Sequence, residues 1–273
     1  MRKSIVRAKL AANQPVLATC LHLTDPSLHE LVGLMGFDAL WLDMEHHGYS
    51  VEKATELMRA TRVGHVDSMT RPAKGEFMRM GRMLEAGAQG ILYPRCSGPE
   101  EAREVIRWSK FAPLGERGFD GGNPDMPYCT MDMAEYIKFA NDNTWIVIQI
   151  EDQAALDQVE AIAAVPGVDI IFLGPGDFSV LSGIPGQFNH PKIQAAIEKI
   201  AKAAKNQGKH WGMPVGTTDR AKELMALGAK FIAHGADIIH VKLALEKIQK
   251  DFGALGFTFE NRLTAGASYM QKA

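Results

Sequence analysis

Short apolar runs alternate with amphipathic stretches from one end of the 273-residue chain to the other. The runs are Pro15–Cys20, Asp38–Asp43, Asp67–Arg71, Gln89–Pro94, Trp145–Ile150, Asp169–Leu173, His210–Val215 and Lys230–His234. Each is short, and several are rich in Ile, Val and Leu, as parallel strands covered on both faces require. The stretches between them carry helical spacing. Pro191–Lys205 gathers Ile193, Ile197, Ile200, Ala201 and Ala204 on one face, and Pro99–Ser109 does the same with Ala102, Val105 and Ile106. Gly36, Gly87 and Gly228 stand where a helix gives way to the next run, the usual place for a left-handed C-terminal cap.

Eight strands alternating with helices predict a closed (β/α)8 TIM barrel, with an open doubly wound sheet as the alternative. No GxGxxG follows the first run, which weakens the dinucleotide-binding version of that alternative. The length suits a single barrel, placed at residues 1–252, with residues 253–273 as a tail the barrel itself does not need. Pro113–Pro127, rich in Gly and Pro, is expected to form a long loop over the barrel mouth.

Composition narrows the function. The chain is 46% hydrophobic and 23% charged, an ordinary globular balance, and its formal net charge of −2 gives no electrostatic case for binding nucleic acid or an anionic membrane. The charged N-terminus lacks the apolar stretch of a secretory signal, and no window is apolar enough to span a bilayer. Cys20, Cys96 and Cys129 are odd in number and form neither a CxxC pair nor a zinc pattern, so a reduced cytoplasmic setting is expected.

Active sites of such barrels lie at the C-terminal ends of the strands. There the second run ends in Asp43-Met44-Glu45-His46-His47, the third in Arg71-Pro72, the fifth in Gln149-Ile150-Glu151 and the sixth in Gly174-Pro175-Gly176-Asp177. Glu151 and Asp177 end adjacent strands, so both carboxylates can reach one hard cation such as Mg²⁺, Mn²⁺ or Co²⁺. Taken singly, each acid reads more readily as a loop residue that caps a helix, Asp177 ahead of Phe178-Ser179 in particular, and only their joint position favours the metal. Arg71 is placed to donate to a carboxylate or an oxyanion, or to pair with a barrel acid. His46 can act as a general base oriented by Asp43 or Glu45, whereas His47 has no period-two reason to point inward and reads as a loop residue. A Schiff-base mechanism needs a lysine at a strand end, and only Lys74 comes close.

Six segments in order resemble the HpcH/HpaI aldolase family of the phosphoenolpyruvate/pyruvate-binding barrel superfamily. They are Trp41–His46, Arg71-Pro72, Gly87–Pro94, Pro113–Gly118, Gln149–Glu151 and Leu173–Ser179, and the likeness runs from about Ser4 to Gly253. The resemblance implies a class II pyruvate aldolase that cleaves a 4-hydroxy-2-oxo acid to pyruvate and an aldehyde through a metal-stabilised enolate. It implies Glu151 and Asp177 as metal ligands and substrate contacts from Gln149 and from the backbone at Gly176 and Asp177. It further implies Arg71 at the enolate oxygen and His46 as the proton carrier at the C4 hydroxyl. It also implies a homo-oligomer, a trimer or hexamer, with the C-terminal helix exchanged between subunits and an acid at the position of Glu85 assisting a neighbour's histidine.

Two segments depart from the family's pattern. Pro94-Arg95-Cys96 replaces an apolar residue after the proline, which makes Arg95 a candidate for reading a polar or acidic aldehyde. Gly118–Asn123 replaces a small, alanine-rich stretch. Within the superfamily the rivals are a citramalyl- or malyl-CoA lyase, for which no basic cluster offers a CoA surface, and an oxaloacetate decarboxylase. From another class, a non-catalytic binder of metal–oxo-acid complexes would have no use for His46.

Overall fold

Period-two alternation sorts each strand between two cores. On the strand Trp145–Ile150, the residues Trp145 and Val147 join the barrel interior, and Ile146, Ile148 and Ile150 join the layer under the helices. The same parity governs Ala39–Asp43, where Ala39 and Trp41 face in and Leu40 and Leu42 face out.

The computed structural model describes residues 2–263. Along the chain, α1 (Ile5–Ala11) precedes β1 (Val16–Leu21), and α2 (Pro26–Leu34) leads to β2 (Ala39–Asp43). Then follow α3 (Val51–Thr61), β3 (Asp67–Arg71), α4 (Phe77–Ala86), β4 (Gly90–Tyr93), α5 (Pro99–Ser109) and α6 (Met133–Asn143). The second half runs β5 (Trp145–Ile150), α7 (Gln153–Asp157), α8 (Val159–Ala163), β6 (Ile170–Leu173), α9 (Pro175–Leu181) and α10 (Pro191–Asn206). It ends with β7 (His210–Val215), α11 (Thr218–Ala226), β8 (Phe231–Ala236) and α12 (Asp237–Gly253). The eight strands pair in parallel in chain order and β8 closes on β1, so the barrel expected from the pattern is the one formed.

Trp41, Met69, Val147, Phe172 and Phe231 fill the barrel, and Val6 and Leu10 of α1 join the same interior cluster. That helix is tied down at the start of β3, where Asp67 accepts from the N–H groups of Ile5 and Val6 at 3.1 and 3.2 Å and from the Ser4 hydroxyl. The outer face of the sheet packs on the helices through residues such as Ile171, Ile197 and Ile200. Gly87 caps α4 at a φ of 117°, a conformation that costs a side-chain-bearing residue energy, and Gly36 and Gly228 have φ of 82° and 96°.

The segment 113–127 is not at the mouth. Pro124 C=O accepts from Arg62, the C-cap of α3, at 3.0 Å, and the N–H groups of Glu116 and Arg117 donate to Arg107 and Lys110 at the end of α5. Barrel helices run back against the strands, so their C-termini lie where the strands begin, opposite the mouth. Because α5 is followed by α6 and not by a strand, the connection stays at that end. Arg117, Asp125 and Tyr136 hold it there as a buried cluster, with Asp125 accepting from the other two at 3.0 and 2.6 Å.

On α12 only Asp237 is buried. Ile238, Val241, Leu245, Ile248 and Phe252 fall on one stripe and are 40–56% exposed. Of the tail, residues 254–263 are exposed and 264–273 lie outside the described residues. No helix among the described residues is long and apolar enough to cross a membrane.

Candidate active site

The inward parity of each strand carries over to its last residues. Asp43 and Arg71 follow Trp41 and Met69 on that parity and are register partners across β2 and β3, while Gln149 and Glu151 follow Val147. The result is a connected polar line at the mouth. Arg71 Nε donates to Asp43 Oδ1 at 2.9 Å and Nη2 to Oδ2 at 2.6 Å. Arg71 Nη1 donates to Gln149 Oε1 at 3.4 Å, and Gln149 Nε2 donates to Glu151 Oε1 at 3.2 Å. Arg71 is 7% exposed, with its guanidinium 4.7 Å above the Trp41 ring and its Nε 3.2 Å from Glu45 Oε2.

These residues line a cavity of about 410 Å³. Its apolar wall is built by Phe188, Pro214, Val215 and Ala233.

Burial pushes the Asp43 carboxyl upward, but the hydrogen bonds and charge of Arg71 outweigh it and hold the group below the usual carboxylate range. Glu151 goes the other way. Burial, reinforced by the nearby carboxylates of Asp177 and Glu45, raises it to about 7, against the Arg95 N–H at 2.8 Å and the charge of Arg71. Asp177 stands third in α9 and takes no part in its cap, so its carboxylate is not spent on the helix. A Cβ at Gly174 would sit 2.1 Å from Glu151 Oε1, so only glycine leaves room for the acid. A buried carboxylate with a raised pKa, a second acid beside it and an all-oxygen donor set together fit a hard divalent cation.

His46, Asp43, Arg71, Gln149, Glu151, Gly176 and Asp177 therefore meet at one cavity. His46 is 58% exposed on its side chain, with Nε2 3.7 Å from Glu45 Oε2, while its N–H points at Asp43 Oδ1 at 3.4 Å; Glu45 is its side-chain partner. Arg95 does not line the cavity. Its side chain is exposed, and its contribution is the N–H that holds Glu151. Glu116 pairs with Arg107 and Asp120 accepts from Asn123, so neither acid pairs with Arg95. Lys74 donates to Arg95 C=O at 2.6 Å and to Glu101 at 3.1 Å and also lies outside the lining. Glu85, at the end of α4, sits among Arg117, Asp120 and Asp125 at the far end of the barrel from its own His46.

Sequence reasoning missed His22, His47 and Cys20, all of which face the cavity. His47 is not an outward loop residue: a tight turn after β2 returns it to within 3.9 Å of Asp43 Oδ2. The available signal was Cys20-Leu21-His22, two residues of one parity at the end of β1.

Residues 19–244 match the HpcH/HpaI aldolase/citrate lyase family. The chain belongs to this family. A 4-hydroxy-2-oxo-heptane-1,7-dioate aldolase of Escherichia coli is 31% identical over 248 residues, 91% of this chain and 94% of that protein. A 5-keto-4-deoxy-D-glucarate aldolase of Klebsiella pneumoniae is 32% identical over 246 residues, 90% and 95% of the two chains. The crystal structure of an HpcH/HpaI aldolase from Desulfitobacterium hafniense shares the fold with a TM-score of 0.87 at 29% identity, covering 93% of this chain and 98% of that one.

Proposed function

We propose that this family member is a divalent-metal-dependent lyase that reversibly cleaves a 4-hydroxy-2-oxo acid to pyruvate and an aldehyde. The observation that carries the reading is the line Asp43–Arg71–Gln149–Glu151, which sets a guanidinium beside a cation-ready pair of acids at one cavity. The names of the two relatives above, both aldolases, support it.

Cleavage leaves a carbanion next to a carbonyl, so the difficult step is to store negative charge on oxygen. Held by Glu151 and Asp177, Mg²⁺, Mn²⁺ or Co²⁺ supplies Lewis-acid stabilisation of that charge. Arg71 adds a second, preorganised donor. Its ion pair with Asp43 fixes the guanidinium plane, so no reorganisation is needed when the enolate forms. Gln149 bridges Arg71 and Glu151 and orients both, and the N–H groups of Gly176 and Asp177 at the first turn of α9 offer donors to the substrate carboxylate. His46, exposed to the cavity and backed by Glu45, takes the proton of the C4 hydroxyl during cleavage and returns it during condensation. The apolar stripe on α12 suits a second copy of the chain, which makes the working form a homo-oligomer.

The test is turnover of pyruvate with a panel of aldehydes, with product carbon–carbon bonds followed by NMR and each assay run after chelation and after return of Mg²⁺, Mn²⁺ or Co²⁺. Condensation restored by the metal supports the reading. Binding of pyruvate with no turnover of any aldehyde would leave only a binder.

A further inference from the structure

Glu151 and Asp177 belong to the β5–β6 side of the cavity. Four strands away around the barrel, on the β1–β2 side, lies a different group of donors. One ligand atom from each of His22, Asp43 and His47 lies within 4.8 Å of the other two. His22 Nε2 is also 3.2 Å from the sulfur of buried Cys20. The two imidazoles stack with centroids 3.9 Å apart and 29° between their planes.

Two local rules of the sequence build this group. Cys20 and His22 are two residues apart at the end of β1 and share its inner side. Asp43 closes β2, and the turn that follows brings His47 back over it. Asp237, buried at the start of α12, accepts the N–H groups of His22 and Leu23 at 2.8 Å each and fixes the chain that carries His22. Asp43 Oδ1 is occupied by Arg71, Glu45 N–H and His46 N–H. Oδ2 accepts one hydrogen bond, from Arg71 Nη2, so a lone pair remains.

We propose that His22, His47 and Asp43, with the Cys20 sulfur beside them, form a second metal site that takes a divalent transition cation of borderline softness, Zn²⁺ or Co²⁺. Two imidazole nitrogens, a carboxylate and a thiol suit a tetrahedral ion of this class, whereas Mg²⁺ avoids nitrogen and sulfur. Metal–ligand bonds of about 2.0–2.3 Å put tetrahedral donors about 3.5 Å apart, so the donors of His22, Asp43 and His47, within 4.8 Å of one another, need to close in on an ion, with the Cys20 sulfur 3.2 Å from His22 Nε2. When the sulfur coordinates, the ion takes the place of the thiol proton, which leaves to solvent. Arg71 and Gln149 lie between this group and Glu151, which makes the two sets of donors separate.

The experiment is a Co²⁺ titration of the metal-free Glu151→Gln/Asp177→Asn variant, read by visible absorption and by the number of ions retained on dialysis. One Co²⁺ per chain is expected, with the intense absorption of tetrahedral coordination, displaced by Zn²⁺ and not by Mg²⁺. Adding His22→Ala or His47→Ala is expected to weaken that binding at least about 100-fold. Should the variant not fold, the wild-type chain is expected to retain two Co²⁺, one of which is lost together with the tetrahedral absorption in His22→Ala or His47→Ala. No Co²⁺ bound by the variant, no second Co²⁺ bound by the wild type, or binding unchanged by both histidine substitutions, overturns the proposal. Because the readout is not turnover, failure of the aldolase reading leaves this result untouched.

Discussion

Arg71 and Asp43 meet through two parallel hydrogen bonds of 2.9 and 2.6 Å, side by side in register on neighbouring strands and almost wholly buried. The pair does two jobs. It satisfies a buried carboxylate, and it aims a guanidinium at the place where charge develops in the proposed reaction.

Arg71→Ala is therefore expected to lose on the order of 3 kcal/mol of transition-state stabilisation, mostly in kcat. It is also expected to lose on the order of 3 kcal/mol of folding stability, because Asp43 is left buried without its partner. Arg71→Lys should recover much of the stability and little of the rate, since an ammonium cannot make the paired contact. Steady-state kinetics beside urea unfolding separates the two losses. A change confined to KM would show that Arg71 binds a substrate carboxylate and leaves the enolate alone.

Glu151 predicts a pH signature of the metal-free protein. Its pKa is raised by folding from 4.5 to about 7, so its contribution favours the fold below pH 4.5 and is lost as pH rises through 7. The full difference is about 3 kcal/mol. Above pH 7, metal-free Glu151→Gln should be more stable than the wild type by up to about that amount, and near pH 4.5 the two should converge. Adding Mn²⁺ should stabilise the wild type and not the variant. Thermal melts across pH, with and without Mn²⁺, check this; wild-type and variant curves that stay parallel would contradict it.

For His46→Ala, aldol cleavage should fall by roughly 10²- to 10⁴-fold. Mn²⁺ bound at Glu151 and Asp177 should be retained, because His46 belongs to neither proposed ligand set. Glu45→Gln should reproduce a smaller part of the loss through the 3.7 Å contact. Loss of Mn²⁺ in a titration of His46→Ala would place this histidine among the ligands and remove it from proton transfer.

The exposed stripe on α12 predicts assembly. The purified chain should run larger than a monomer in light scattering, and Leu245→Glu with Ile248→Glu should shift it toward the monomer. A wild-type monomer, with the stripe open to solvent, would refute the homo-oligomer.

Much of this was legible in the sequence because the barrel turns a one-dimensional signal into position. A run that ends in Arg71 or Glu151 places that residue at the mouth by the direction of the strand alone, and parity decides that Asp43 and Gln149 face inward. Connections carry no such rule. The segment 113–127 has the Gly and Pro content of a mouth loop, yet it lies at the other end because two helices follow β4 in succession before the chain returns to the sheet. Arg95, with a φ of 48°, turns its side chain out and gives its N–H to Glu151, a division of labour that no residue type announces. His47 reads as an outward loop residue for the same reason: a turn, not a strand, brings it back to Asp43.

The proposed reaction passes through a metal-dependent enolate of pyruvate, which can be measured without knowing the aldehyde. Pyruvate is incubated with the enzyme in D₂O, and loss of its methyl proton signal is followed by NMR. Exchange is expected with Mg²⁺ or Mn²⁺ present, none after exhaustive chelation, and none in Glu151→Gln/Asp177→Asn. Exchange that survives chelation, together with borohydride trapping of pyruvate on a lysine, would contradict it.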